Sequence, residues 1–132
     1  MTQIVQPDGW KAPVGYVNGV VASGRFIAVA GQIGWNPRTG RIASADFTEQ
    51  TAQALRNVVE VLRAANAGPE HLIRMTWYIT SRAAYMAARR DIGLVYREIV
   101  GSHYPAMSVV VVSGLIDQDA DIEIEATAVL PE

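Results

Sequence analysis

Residues 108–113 read Ser-Val-Val-Val-Val-Ser, and this short run constrains the fold more than any other segment. Side chains on a strand alternate between its faces, so Val109 and Val111 share one face and Val110 and Val112 the other. A strand that is apolar on both sides needs cover on both sides. The rest of the sequence supplies two helices for that purpose. Phe47 to Asn66 places Ala54, Leu55, Val58, Val61, Leu62 and Ala65 at helical spacing. It opens on Asp46, with Glu49 three residues later as a capping-box pair, and stops at Gly68-Pro69. Ala83 to Val100 carries Tyr85, Ala88, Ile92, Val95, Tyr96 and Ile99 behind the potential cap Ser81, and Gly101 marks its end.

Five strands complete the expectation. Val17 to Ala22 and Arg25 to Ala30 flank Ser23-Gly24, which reads as a hairpin turn because glycine permits positive φ. Leu72 to Thr80 alternates, with Ile73, Met75, Trp77 and Ile79 on one face and Arg74, Thr76 and Tyr78 on the other. Ser108 to Ser113 and Asp121 to Val129 follow, joined by residues 115–120. Residues 1–15 read as an irregular arm. Residues 31–45 read as a loop turning at Pro37-Arg38-Thr39-Gly40. The order β-β-α-β-α-β-β predicts one domain over residues 1–132, an α/β chain of the α+β kind, with a single sheet and both helices on one face. The uncovered face then meets another copy of the chain, or the N-terminal arm lies over it.

Composition narrows function. The chain has 132 residues and no cysteine, which removes disulfides, thiolate metal sites and cysteine nucleophiles. A net charge of −2 offers nothing to a polyanion, so no nucleic-acid partner is expected. The N-terminus lacks the pattern of a signal peptide, and no apolar run approaches the length of a bilayer span. A cytoplasmic protein without a membrane partner is the expectation. Two isolated histidines, His71 and His103, make no metal site. Ser23, Ser81 and Ser108 lie outside any nucleophile motif, and Gly31-Gln32-Ile33-Gly34 lacks phosphate-loop spacing.

Four segments together resemble the RidA/YjgF family. They are Ala30-Gly31-Gln32-Ile33-Gly34 with Asn36-Pro37-Arg38-Thr39-Gly40, Gln53 to Val58, Tyr104-Pro105-Ala106-Met107-Ser108-Val109, and Ile122 to Val129. They occur in the family's order and run from about residue 15 to the C-terminus. The resemblance implies a chorismate-mutase-like fold and a homotrimer with a central barrel, outer helices and ligand clefts between subunits. It also implies hydrolysis of enamines and imines such as 2-aminoacrylate, with no metal or organic cofactor. In the family an arginine at a strand start grips the substrate carboxylate, and a glutamate on the last strand handles protons. Here the arginine position is Met107, which has neither charge nor donor, and the serine of the family's "SGQ" is Ala30. The family's asparagine on the second helix has no clear match.

The resemblance leaves Glu123 and Tyr16 as the candidate catalytic residues and Gly31 and Gln32 as candidate binding residues. Glu123 and Glu125 are two apart on a strand and share a face. They either repel at a cleft, raising one pKa, or pair with Arg74 in a structural network. His103 is a substitute cation or base, or an exposed loop residue. Met107 and Trp35 line an apolar pocket, or pack in a core or interface. Two functions follow from different classes. One is an imine or enamine deaminase with specificity unlike that of the 2-aminoacrylate enzymes. The other is a non-catalytic trimeric protein that binds a small metabolite.

Overall fold

The computed structural model describes residues 2–132. In chain order its strands are β1 (Thr2–Val5), β2 (Gly19–Ala22), β3 (Arg25–Ile33), β4 (Trp35–Asn36), β5 (Arg41–Ile42), β6 (Leu72–Ile79), β7 (Ala106–Val111) and β8 (Ile122–Leu130). Helix α1 spans Phe47–Ala64 and α2 spans Arg82–Ile99. The main sheet runs β3-β8-β6-β7, with β6 and β7 parallel and the other pairs antiparallel.

Alternation in the strands decides what the helices bury. Met75, Trp77 and Ile79 of β6 and Ile122 and Ile124 of β8 lie on one face, packed in a single cluster with Leu55, Val58 and Leu62 of α1 and Ile92 and Tyr96 of α2. Truncating a leucine such as Leu55 or Leu62 in such a core costs about 2–5 kcal/mol. The opposite face carries Phe26, Tyr78, Val110, Glu123 and Glu125 and has no helix over it. Val110 is 41% exposed and Phe26 71%.

The N-terminal arm does not cover this face. Val17 bridges Ala106 at the β7 edge, β2 passes β6, and Gly24 abuts the Leu130 carbonyl where β3 begins. The segment therefore crosses the end of the sheet from one edge to the other. The expected hairpin at Ser23-Gly24 is corrected accordingly. Gly24 does adopt positive φ, but β3 pairs with β8, and β2 pairs with β1, a strand within the arm expected to be irregular. The turn at 37–40 forms as expected, with Gly40 N–H donating to Asn36 O at 2.8 Å, and closes the small β4-β5 hairpin.

Helix α1 starts where Asp46 accepts from Glu49 N–H at 3.0 Å. It ends two residues earlier than expected, because Asn66 takes a left-handed φ of 62° and Ala67 N–H donates back to Leu62 O. Buried Gln50 ties this helix to distant chain. Its amide donates to Ser44 O and Asp119 O, both at 3.0 Å, and accepts from Asp121 N–H at 2.8 Å. A Cβ on Gly34 would stand 2.6 Å from Gln50 Cα, so only glycine lets the chain after β3 pass so close. Gln50→Ala leaves buried backbone groups without partners and is expected to cost about 2–4 kcal/mol in urea denaturation. An unchanged midpoint would mean that water replaces the amide.

Candidate functional site

The β3-β8 ladder slips once. Val29 opposes Ala126 and Gln32 opposes Ile124, so Ala30 and Gly31 together face the single residue Glu125. This is a β-bulge, which takes one residue out of the ladder and re-aims its neighbours. At the bulge the Glu123 carboxylate lies against Gly31. A Cβ there would meet Glu123 Oε2 at 2.1 Å, so a side chain at 31 would evict the carboxylate. Glu123 points away from Ile122 and Ile124, both fully buried beneath the helices.

Glu125 shares that face and accepts a short hydrogen bond from the Tyr78 hydroxyl. This bond, then partial desolvation and the charges of Glu125 and Glu123, raise the Tyr78 phenol above its ordinary value. Neither glutamate lies within ion-pair distance of Arg74. Among the described residues the ion pairs are Arg38–Glu60 and the neighbours Glu70–His71.

Gln32 and Trp35 stand beyond the bulge. The Trp35 indole donates to Gln32 Oε1 at 3.3 Å, and Gln32 donates to Ala30 O at 3.2 Å. Buried Asn57 of α1 donates to Ile33 O at 3.3 Å and Trp35 O at 2.9 Å, which clamps this segment onto the helix.

Tyr16 and Met107 lie elsewhere. They line a groove of about 660 Å³ between the arm, α2 and β7. Met107 is level with Met75 in the parallel ladder and so sits on the helix-covered face. His103 does not line the groove. Its Nε2 contacts the Leu72 carbonyl at 2.7 Å, and because a carbonyl only accepts, Nε2 carries the proton. Its own carbonyl accepts from the Tyr96 hydroxyl at 2.6 Å, and Tyr96 stacks on Tyr104 with ring centroids 5.1 Å apart. Burial, then the neighbouring Tyr104, raise the Tyr96 phenol.

The seven residues singled out in the sequence thus fall into three places. Gly31, Gln32, Trp35 and Glu123 gather at the β3 side. Tyr16 and Met107 gather at the β7 edge, and His103 is bonded to the backbone. Three strand spacings, roughly 14 Å, separate β3 from β7. Met107 and Glu123 also project from opposite faces. One chain does not bring the two groups together. Gln50 and Asn57, which hold the bulge side in place, carry no signal in the sequence beyond being polar positions on an otherwise apolar helix.

Among the described residues no group of three His, Cys, Asp or Glu is placed to hold a metal, and no helix is long and apolar enough to cross a membrane. These features define a two-layer α+β domain whose polar candidates lie on surfaces that its own helices leave open. Residues 8–130 match the family described as Endoribonuclease L-PSP, and the chain belongs to this family, RidA/YjgF. It is 33% identical over 128 residues to a RutC family protein of Pyrococcus horikoshii, covering 97% of this chain and 98% of that one. It is 30% identical over 121 residues to the human 2-iminobutanoate/2-iminopropanoate deaminase, covering 90% and 85%. The crystal structure of YyfB from Yersinia pestis, a Rid-family protein of unknown function, superposes with a TM-score of 0.84 at 35% identity over 98% of each chain.

Proposed function

We propose that the protein hydrolyses an enamine or imine of a small metabolite without a cofactor, in clefts between the subunits of a homotrimer. The observation that carries this reading is the Glu123 carboxylate, lodged on Gly31 at the bulge and free of any ion pair among the described residues. An unpaired carboxylate can take a proton from water and return it. Water adds to the C=N carbon as Glu123 takes its proton, and Glu123 then passes that proton to the nitrogen. The resulting carbinolamine collapses to a carbonyl and ammonia. The β7 edge of one subunit beside the β3 side of the next would bring Tyr16 and Met107 to Glu123, Gly31 and Gln32. Imine deaminase activity in the human relative supports the reaction class.

The test is release of ammonia from a panel of 2-imino acids generated in situ. Met107 provides no cation for a carboxylate at the β7 start, and each lost charge-assisted bond costs about 1.5–3 kcal/mol. Hydrolysis of 2-aminoacrylate is therefore expected to be weak or absent, with bulkier 2-imino acids turned over faster. Turnover of 2-aminoacrylate as fast as by an arginine-bearing member would overturn that specificity. The apolar Met107 also favours a second reading, a metabolite-binding trimer without turnover. Ligand binding with no hydrolysis across the panel would select it.

A further inference from the structure

The groove behind Met107 has a composition that the β7 strand alone does not explain. Arg89, Arg90 and Arg97 line it, and no Asp or Glu does. None of the three arginines takes part in an ion pair among the described residues. Tyr85, Arg89, Gly93 and Arg97 follow one another at intervals of four, so they form one row along α2. Arg89 and Arg97 are about 12 Å apart along the axis, within mutual reach of two long side chains.

Gly93 sits between them. Glycine inside a helix is less favourable than alanine, and nothing lies within 4 Å of where a Cβ at 93 would stand. Packing within the chain therefore does not demand glycine there, and its effect is to leave the middle of the row open. A second observation points the same way. Trp77 also lines the groove and is 1% exposed, yet its indole Nε1–H has no acceptor among the described residues. A buried donor without a partner is uncommon and marks a place where an acceptor is missing. Beside it Ile92, Met107 and Val109 give an apolar floor, and Tyr16 stands at the rim.

We propose that Arg89 and Arg97 of α2, together with the Trp77 indole N–H, form an anion-recognition site for a carboxylate with an aromatic or bulky aliphatic body. The guanidinium groups hold the carboxylate, the indole donates to a second polar atom, and the body lies over Met107 and Val109. Guanidinium suits a carboxylate because its donors match the two oxygens. The cation absent from position 107 is thereby supplied from the helix, and a three-carbon acid has too little apolar surface to use the floor. This inference rests on the groove being the ligand half of the proposed cleft.

Calorimetry with phenylpyruvate as the probe tests it. The native protein is expected to bind phenylpyruvate. Arg89→Gln and Arg97→Gln, both at exposed positions and so expected to fold, should each weaken binding about tenfold or more, the loss of one charge-assisted contact. Phenylacetone, which lacks the carboxylate, should bind native protein and variants equally weakly. In NMR spectra the Trp77 indole proton should shift on adding phenylpyruvate. Equal phenylpyruvate affinity in native protein and variants, or none in either, would overturn the site. So would a change in sedimenting mass in the variants, because the arginines would then hold a neighbouring chain. Binding lost in the variants, with no hydrolysis by the native protein of the 2-imino acid corresponding to phenylpyruvate, leaves the site standing and removes the deaminase reading. Hydrolysis equal in native protein and variants does the reverse.

Discussion

Glu123→Gln is expected to fold and assemble normally, to bind phenylpyruvate as the native protein does, and to lose about 10²- to 10⁴-fold in turnover of 2-imino acids. The amide keeps the shape that lies against Gly31 but cannot exchange a proton with water. Steady-state rates across the imine panel, read beside calorimetric affinities, separate lost chemistry from lost binding. Unchanged turnover would make Glu123 a structural residue and remove the mechanism. Failure to assemble would place the carboxylate in an interface network and favour the binding protein without turnover.

Val110→Asp is expected to convert the proposed three-chain particles into single chains at micromolar concentration. Val110 is half-exposed on the face that neither helix nor arm covers, so the single chain tolerates a charge there. In an assembled barrel the same carboxylate would be desolvated on a face that already carries Glu123 and Glu125, at a cost of several kcal/mol. Sedimentation velocity of the two proteins decides the matter. A native protein that sediments as one chain would dissolve the proposed cleft, because Met107 and Glu123 would have no means of meeting.

The sequence was most informative where local pattern and tertiary environment agree. The apolar stripes of both helices and the alternation of residues 72–79 reflect burial on one face, and the structure places them there. The parity of Ile122, Glu123, Ile124 and Glu125 was equally legible, because a period of two has only two solutions. Ser23-Gly24 misled for a physical reason. Gly24 does need its left-handed backbone, but a turn residue specifies a bend and not the partner that follows it. Long-range pairing sent β3 to β8 instead. The chemistry around the groove was hidden for a related reason. Arg89 and Arg97 read as a solvated helix surface, and Trp77 reads as core. Only the packing of α2 against the sheet edge shows that two exposed cations and the residue carrying a buried donor, unpartnered among the described residues, line the same groove.

Strand β7 touches β6 alone within the sheet, whereas β8 lies between β3 and β6. The wall that surrounds Met107 and the carboxylate on Gly31 therefore share neither a ladder nor a face. Within one chain, a substitution in one reaches the other through the intervening β6 or through the packed helices. On the proposed function, selectivity and proton chemistry are in this sense separately heritable. If Arg89 and Arg97 hold the carboxylate as proposed, methionine at 107 is compatible with an unaltered bulge that presents Glu123.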